Sequence, residues 1–261
     1  MTVSETLKQK LARGEILLGT HVSLCDITPV EIMGSSGFDY LWIDMEHTPI
    51  TKKDVQNILI AARACKPEPA AFIRVAWNDP VLVKPILDMG PTGIIFPMIN
   101  TADDVAKAVA SCRYPPEGVR GFAPRAAVRY GFDDVQEYIH TVSRRIWVLC
   151  QIETMQAYKN LDSLLSCEGV DAFIVGPADF SGQFGKLANF MDPEVDAAIN
   201  EVVAKVKAAG KPVGISVGAY DFDSMKHWLS KGFNMISCGG DVAFLQKGSL
   251  QALDNLRRAQ A

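Results

Sequence analysis

Eight short apolar segments recur along the chain, and together they constrain the fold more than any other feature. They are Leu17–Val22, Tyr40–Asp44, Ala70–Val75, Gly93–Pro97, Ile146–Ile152, Ala172–Val175, Val213–Ser216 and Met235–Cys238. Each is apolar at consecutive rather than alternate positions, which suits parallel strands covered on both faces. Longer amphipathic segments lie between them and carry helix-start signals. Thr28-Pro29-Val30-Glu31 offers a capping box with proline at the first helical position, and Thr51 precedes Lys52-Lys53-Asp54 in the same way. Asp79-Pro80 opens Val81–Met89 and Asp192-Pro193 opens Glu194–Ala209, while Thr101–Arg113 and Asp221–Lys231 are amphipathic. A first helix reads over Met1–Gly14 and a last one from about Val242 to Arg258. Eight strands alternating with helices over about 250 residues is the pattern of an α/β chain forming a (β/α)8 TIM barrel. An open doubly wound sheet is the alternative, because pattern alone does not show closure. With no repeat, low-complexity tract or linker, residues 1–261 read as a single barrel domain.

Charge excludes one class of partner. Lys and Arg number 26 against 30 Asp and Glu, a formal net charge of −4, whereas a nucleic-acid binder needs clustered positive charge. No apolar run approaches the roughly 20 residues of a membrane helix, and the start lacks the basic and apolar regions of a secretory signal. The six cysteines, at 25, 65, 112, 150, 167 and 238, show no CxxC or metal-finger spacing. They read as reduced, buried thiols of a cytoplasmic protein.

In a barrel, catalytic groups sit at the C-terminal ends of strands. Strand two ends in Asp44-Met45-Glu46-His47. An Asp44–His47 pair would fix the imidazole tautomer and raise its basicity for proton transfer near pH 7; a helix-capping Asp and a surface His are the plainer alternative. Strand three ends in Arg74, whose guanidinium can bind a carboxylate, stabilise an oxyanion, or simply form a rim salt bridge. Strands five and six end in Gln151-Ile152-Glu153-Thr154 and Gly176-Pro177-Ala178-Asp179. Glu153 and Asp179 on adjacent strands suit an octahedral Mg²⁺ or Mn²⁺ with positions open to water and a chelating substrate, although each is separately explicable as a cap or helix-start carboxylate. Backbone N–H groups of Gly176-Pro177-Ala178 at a helix start can hold an anion. Gly218 and Gly239-Gly240 follow strands seven and eight as a phosphate loop or as turn glycines. Histidines at 21, 47, 140 and 227 form no zinc pattern, and no strand contains a lysine for imine chemistry.

In order, Gly37-Phe38-Asp39-Tyr40 through Asp44-Met45-Glu46-His47, Arg74 to Pro80, Arg113 to Gly121, Gln151 to Thr154 and Gly176 to Ser181 span nearly the whole chain. Taken together they resemble the metal-dependent (class II) pyruvate aldolases of the HpcH/HpaI family. The resemblance implies a barrel whose last helix is exchanged between paired subunits, and a homo-hexamer built as a trimer of dimers. It implies Glu153 and Asp179 as metal ligands for Mg²⁺, Mn²⁺ or Co²⁺, and Gln151 and Arg74 as residues meeting the keto acid. His47 and Asp44 match the acid/base pair, Gly176 to Ala178 the carboxylate-binding turn, and Asp88 a residue that reaches a neighbour's active site. Two departures touch the acceptor side: His21 stands where relatives often carry Trp, and the loop after Gly121 carries Arg125 and Arg129.

The implied activity is retro-aldol cleavage of a 4-hydroxy-2-oxo acid to pyruvate, hydroxypyruvate or a related 2-oxo acid plus an aldehyde, and the reverse addition. A metal-enolate decarboxylase or phosphoenolpyruvate-type enzyme on the same barrel, and a non-catalytic ligand-binding barrel, are the alternatives. A polar His21 and the added arginines favour hydroxylated or carboxylated aldehydes.

Overall fold

The computed structural model describes residues 2–260; Met1 and Ala261, the ends of the expected first helix and of the expected domain, lie outside them. Eight strands close into a barrel in chain order: β1 Leu17–Val22, β2 Tyr40–Asp44, β3 Ala70–Arg74, β4 Gly93–Phe96, β5 Trp147–Ile152, β6 Ala172–Val175, β7 Val213–Val217 and β8 Met235–Gly240. Every neighbouring pair is parallel, including β1 with β8. The doubly wound alternative is thereby excluded. The helices are α1 Val3–Ala12, α2 Ile27–Ser35, α3 Lys52–Ala64, α4 Pro80–Leu87, α5 Ala102–Ser111, α6 Val135–Glu137, α7 Met155–Lys159, α8 Leu161–Leu165, α9 Pro177–Gly182, α10 Pro193–Ala208, α11 Phe222–Ser230 and α12 Asp241–Ala259.

Strand burial on both faces accounts for the unbroken apolar runs. In β2, Leu41 and Ile43 join the core between barrel and helices, while Tyr40 and Trp42 join a second core inside the barrel. That inner core also holds Phe72, Trp147, Leu149, Ile174 and Met235. Each buried aromatic removes enough surface from water for roughly 4–6 kcal/mol of gross stabilisation, an upper bound. Room for the rings comes from glycine: a Cβ on Gly19 would stand 2.2 Å from the Tyr40 ring, and one on Gly93 2.6 Å from Trp147. Leu7 of α1 packs into the same inner core and Ser4 accepts the Trp147 indole N–H at 2.9 Å, so α1 stoppers the end of the barrel where the strands begin.

Helix starts follow the expected chemistry at Thr51, Asp79, Thr101, Asp192 and Asp221, each of which accepts a backbone N–H as N-cap. Thr28 does not. Asp26 caps α2 and accepts the Thr28 N–H at 2.7 Å, so Pro29 is the third helical residue. A carboxylate two residues earlier satisfies the first turn and removes the need for the threonine. All six cysteines are free, as expected, but only Cys65, Cys112 and Cys150 are buried; Cys25 is exposed. Among the described residues, no helix is long and apolar enough to cross a membrane.

Helix α12 is unlike the others. Val242, Leu245, Leu250, Leu253 and Leu256 are all exposed, and at helical spacing they fall on one face.

Candidate active site

β2 and β3 are paired so that Asp44 lies opposite Arg74 at the C-terminal rim. Arg74 donates from Nε to Asp44 Oδ1 at 2.9 Å and from Nη2 to Oδ2 at 2.7 Å, a two-pronged charge-assisted contact. Its guanidinium also stacks over the Trp42 ring at 5.4 Å. Burial pushes the Asp44 carboxyl up, but the Arg74 fork and the backbone N–H groups of Glu46 and His47 outweigh it and hold it below the ordinary carboxylate range.

Glu153 follows β5 and is buried. Its Oε1 accepts the Met98 backbone N–H and its Oε2 the Gln151 amide N–H, both at 2.7 Å. Burial pushes its pKa up to about 7; the Met98 N–H opposes this, and the nearby Glu46 and Asp179 charges add to it. Glu46 is pushed to about 7 by the same causes, burial first, with Asp44 and Asp179 raising it against Arg74. Its Oε2 stands 2.9 Å from Arg74 Nη1 but out of line for a hydrogen bond. The Gln151 Oε1 is also buried without a partner. Asp179 is exposed at the start of α9. Gly176 belongs here because nothing larger fits: a Cβ would stand 2.7 Å from Glu153 Oε2.

Glu46 and Glu153 thus both feel the Asp179 charge, and the one guanidinium acting on them, Arg74, is shared between Asp44 and Glu46. The excess negative charge, the two unpartnered buried oxygens and the all-oxygen donor set fit a hard divalent cation. Among the described residues, no three His, Cys, Asp or Glu side chains are grouped so as to hold a metal ion by themselves.

Several expected details differ. The His47 ring is not paired with Asp44, whose two oxygens are taken by Arg74. His47 reaches Asp44 only through its backbone N–H, at 3.4 Å, and its ring is 63% exposed with Glu46 Oε2 at 3.7 Å. The anion turn is narrower than its sequence suggests: the Gly176 N–H is spent on Ile152 O at 3.2 Å and Pro177 has none, which leaves Ala178 and Asp179 to supply free N–H groups. His21 lines a rim cavity of about 380 Å³ together with Asp44, Arg74, Ser216, Gly218 and Gln246. Its nitrogens, however, are not free. Nδ1 donates to Gly239 O at 2.5 Å, and Nε2 accepts from the Ser216 and Ser237 hydroxyls at 2.8 and 3.1 Å. Burial, more than any neighbour, holds its pKa below the ordinary value, consistent with a neutral ring. Next to Gly240, the Asp241 carboxylate accepts the backbone N–H groups of Ser23 and Leu24, at 2.9 Å each.

Asp88 and Arg125 lie at the other end of the barrel. Asp88 follows α4 and precedes β4, and Arg125 lies between α5 and β5; in a parallel barrel such connections sit where strands begin. Asp88 bonds Arg120 at 3.2 Å, and its carbonyl accepts the Ala127 N–H at 3.1 Å. The loop around Ala126 and Ala127 lines a separate cavity of about 450 Å³ that also involves Ser4, Thr92 and Arg145. Neither Asp88 nor Arg125 borders the rim of its own chain.

Glu46 and the Met98 N–H are site groups the sequence reading left without a role. Glu46 was accessible from parity, since positions 44 and 46 leave a strand on one face. Met98 had no signal, because a backbone N–H is invisible in residue type.

A closed (β/α)8 barrel with charged groups gathered at the C-terminal rim is the frame of an enzyme. Residues 18–247 match the HpcH/HpaI aldolase/citrate lyase family, and the chain belongs to that family. It is 36% identical over 248 residues to the 4-hydroxy-2-oxo-heptane-1,7-dioate aldolase of Salmonella typhimurium, covering 95% of this chain and 92% of that one. A solved HpcH/HpaI aldolase/citrate lyase family protein from Burkholderia cenocepacia superposes with a TM-score of 0.90 at 35% identity, covering 97% and 99% of the two chains. The HpcH/HpaI aldolase of Desulfitobacterium hafniense gives 0.86 at 28%, covering 96% of each.

Proposed function

We propose that this lyase cleaves 4-hydroxy-2-oxo acids to pyruvate, or a related 2-oxo acid such as hydroxypyruvate, plus an aldehyde, and runs the reverse aldol addition. Glu153 and Asp179 would hold a divalent cation, Mg²⁺, Mn²⁺ or Co²⁺. The observation that carries this reading is the gathering of Glu46, Glu153 and Asp179 at one rim with their charge unbalanced. The substrate class named for the Salmonella typhimurium relative agrees with it.

When bound, the cation supplies Lewis acidity to the carboxylate and keto oxygens of the 2-oxo acid. The chain's own residues do the rest. The free N–H groups of Ala178 and Asp179 meet the substrate carboxylate, and Gln151 meets the keto acid. His47, exposed at the mouth, takes the proton of the C4 hydroxyl. As the C3–C4 bond breaks, its electron pair passes toward the keto oxygen and the aldehyde departs. Arg74, fixed by Asp44, faces the negative charge that develops. A proton added at C3 completes the 2-oxo acid. His21 and Ser216 make the neighbouring cavity polar, which favours hydroxylated or carboxylated aldehydes.

The same reading includes a homo-oligomer, a hexamer built as a trimer of dimers, with α12 exchanged between paired chains and Asp88 of one copy reaching the site of another. The bare apolar face of α12 supports the exchange, and the position of Asp88 away from the rim of its own barrel agrees with a role in a second copy. Six free thiols suit the cytoplasm. The test is a coupled assay of 2-oxo acid release across a panel of 4-hydroxy-2-oxo acids, with and without chelator. Activity that chelation abolishes and Mg²⁺, Mn²⁺ or Co²⁺ restores is expected; full activity of rigorously metal-free protein refutes the proposal.

A further inference from the structure

We propose that Asn100 is a positioning residue: its side-chain amide holds Met98 in a left-handed backbone conformation whose N–H fixes the Glu153 carboxylate. The inference rests on Glu153 being a cation ligand, as proposed above.

Phe96 ends β4, and the chain reaches Thr101, the N-cap of α5, four residues after Pro97 begins the turn. Within that turn Met98 has φ 55°, a region that residues other than glycine rarely adopt. Of the four non-glycine residues with positive φ, Met98 alone donates its backbone N–H to an ionisable side chain among the described residues. The unusual rotation turns the Pro97–Met98 peptide inward, onto Glu153 Oε1 at 2.7 Å, while the chain itself continues outward to α5. A backbone donor has no rotamers to lose, so it fixes a carboxylate more firmly than a side chain could.

Every polar group of Asn100 is used, and each bond bears on this turn. Its Nδ2 donates to Met98 O at 2.9 Å. Its Oδ1 accepts the hydroxyl of Thr154, the residue next to Glu153. Its carbonyl accepts from Asn160 Nδ2 at 2.9 Å, and its own N–H goes to Asp104 Oδ2 at 3.1 Å. One amide therefore grips both sides of the Met98–Glu153 contact. With Oε1 accepting from Met98 and Oε2 from Gln151, the Glu153 carboxylate is held at both oxygens, each of which keeps a second lone pair. Outer-shell partners of this kind are worth 10- to 100-fold in metal affinity.

The experiment is Mn²⁺ titration, by calorimetry, of full-length protein stripped with chelator. Asn100→Ala is expected to weaken Mn²⁺ binding roughly 10- to 100-fold. Adding Met98→Gly to Asn100→Ala is expected to recover most of that loss, because glycine adopts the left-handed region without support. A role for Asn100 limited to tying two loops together predicts no recovery. Should Asn100→Ala fail to fold, Asn100→Asp keeps the acceptor for Thr154, removes the donor to Met98 and is expected to show the same loss. Binding by Asn100→Ala within twofold of the parent, or a double variant no better than the single one, overturns the inference alone. A parent that binds no Mn²⁺ overturns the cation reading itself, and this inference with it.

Discussion

Replacing Gly176 by alanine separates the chemistry of the rim from the stability of the barrel. Its φ of −95° suits any residue, so alanine brings no backbone strain and restricts the unfolded chain, a gain of about 0.4–1 kcal/mol. The added methyl group opposes that gain. It would stand 2.7 Å from Glu153 Oε2, 3.1 Å from Glu153 Cβ and 3.3 Å from Gln151 Nε2. Reaching an ordinary contact of 3.4 Å requires the Glu153 oxygen to retreat by about 0.7 Å, and it is tied at both oxygens. Overpacking of this size costs about 1–3 kcal/mol, so the net loss of stability is at most about 2.5 kcal/mol. Functional constellations tolerate about 0.5 Å, so the ligand geometry fails before the fold does. Gly176→Ala is therefore expected to fold, to unfold at most several degrees lower, and to lose roughly 10- to 100-fold in Mn²⁺ affinity. Calorimetric titration of chelator-stripped protein beside thermal unfolding reads both quantities. Unchanged Mn²⁺ affinity in a folded variant refutes the placement of Glu153 as a ligand.

Arg74→Ala should lower kcat/KM for retro-aldol cleavage by about 100-fold or more, and Arg74→Lys should recover little because the planar fork to Asp44 is lost; normal turnover of the alanine variant would reduce Arg74 to a salt bridge. His47→Ala should impair aldol cleavage more than oxaloacetate decarboxylation, which needs no hydroxyl deprotonation; equal loss of both in parallel assays removes His47 from the base role. Glu46 and Glu153 are raised from 4.5 to about 7 without a cation, so each carries roughly half a proton at pH 7 that a cation must displace. Mn²⁺ affinity should thus climb between about pH 6 and 8, with proton release seen as a dependence of the calorimetric heat on buffer ionisation enthalpy; heat independent of buffer contradicts it. Because both values are raised, the stripped protein should lose stability as pH climbs from 4.5 through about 7, and bound Mn²⁺ should lessen that loss.

What the sequence discloses and what it withholds divide along a physical line. Strand order was legible because most strand positions are buried on both faces, so apolar runs survive in residue type, as in Tyr40 to Ile43; closure was not, because an open sheet leaves the same pattern. Rim residues were legible where a polar or charged side chain stands at a strand end: Asp44, Arg74, Gln151, Glu153. Partnership was not, because it depends on which of two neighbours wins. Asp44 lies three residues from His47 in sequence, yet Arg74 takes both of its oxygens from the next strand, opposite it in register. Backbone groups were illegible for a different reason, since any residue type can present the N–H that Met98 gives to Glu153. The place of the loop carrying Arg125 is set by topology rather than chemistry. Arg125 follows a helix and precedes a strand, and that order alone sends it to the end of the barrel where strands begin. Asp88 obeys the same rule. Asp88, which resemblance associates with a neighbour's site, and Arg125, where the chain departs from its relatives, are thus far from the rim in one chain, while α12 leaves an apolar face uncovered. The proposed oligomer would account for both facts, with a second copy that covers α12 and carries Asp88 to a foreign rim. Loss of cleavage activity on Asp88→Asn, restored by mixing with Glu153→Gln chains that supply an intact Asp88, would demonstrate that sharing; a strictly additive mixture would exclude it.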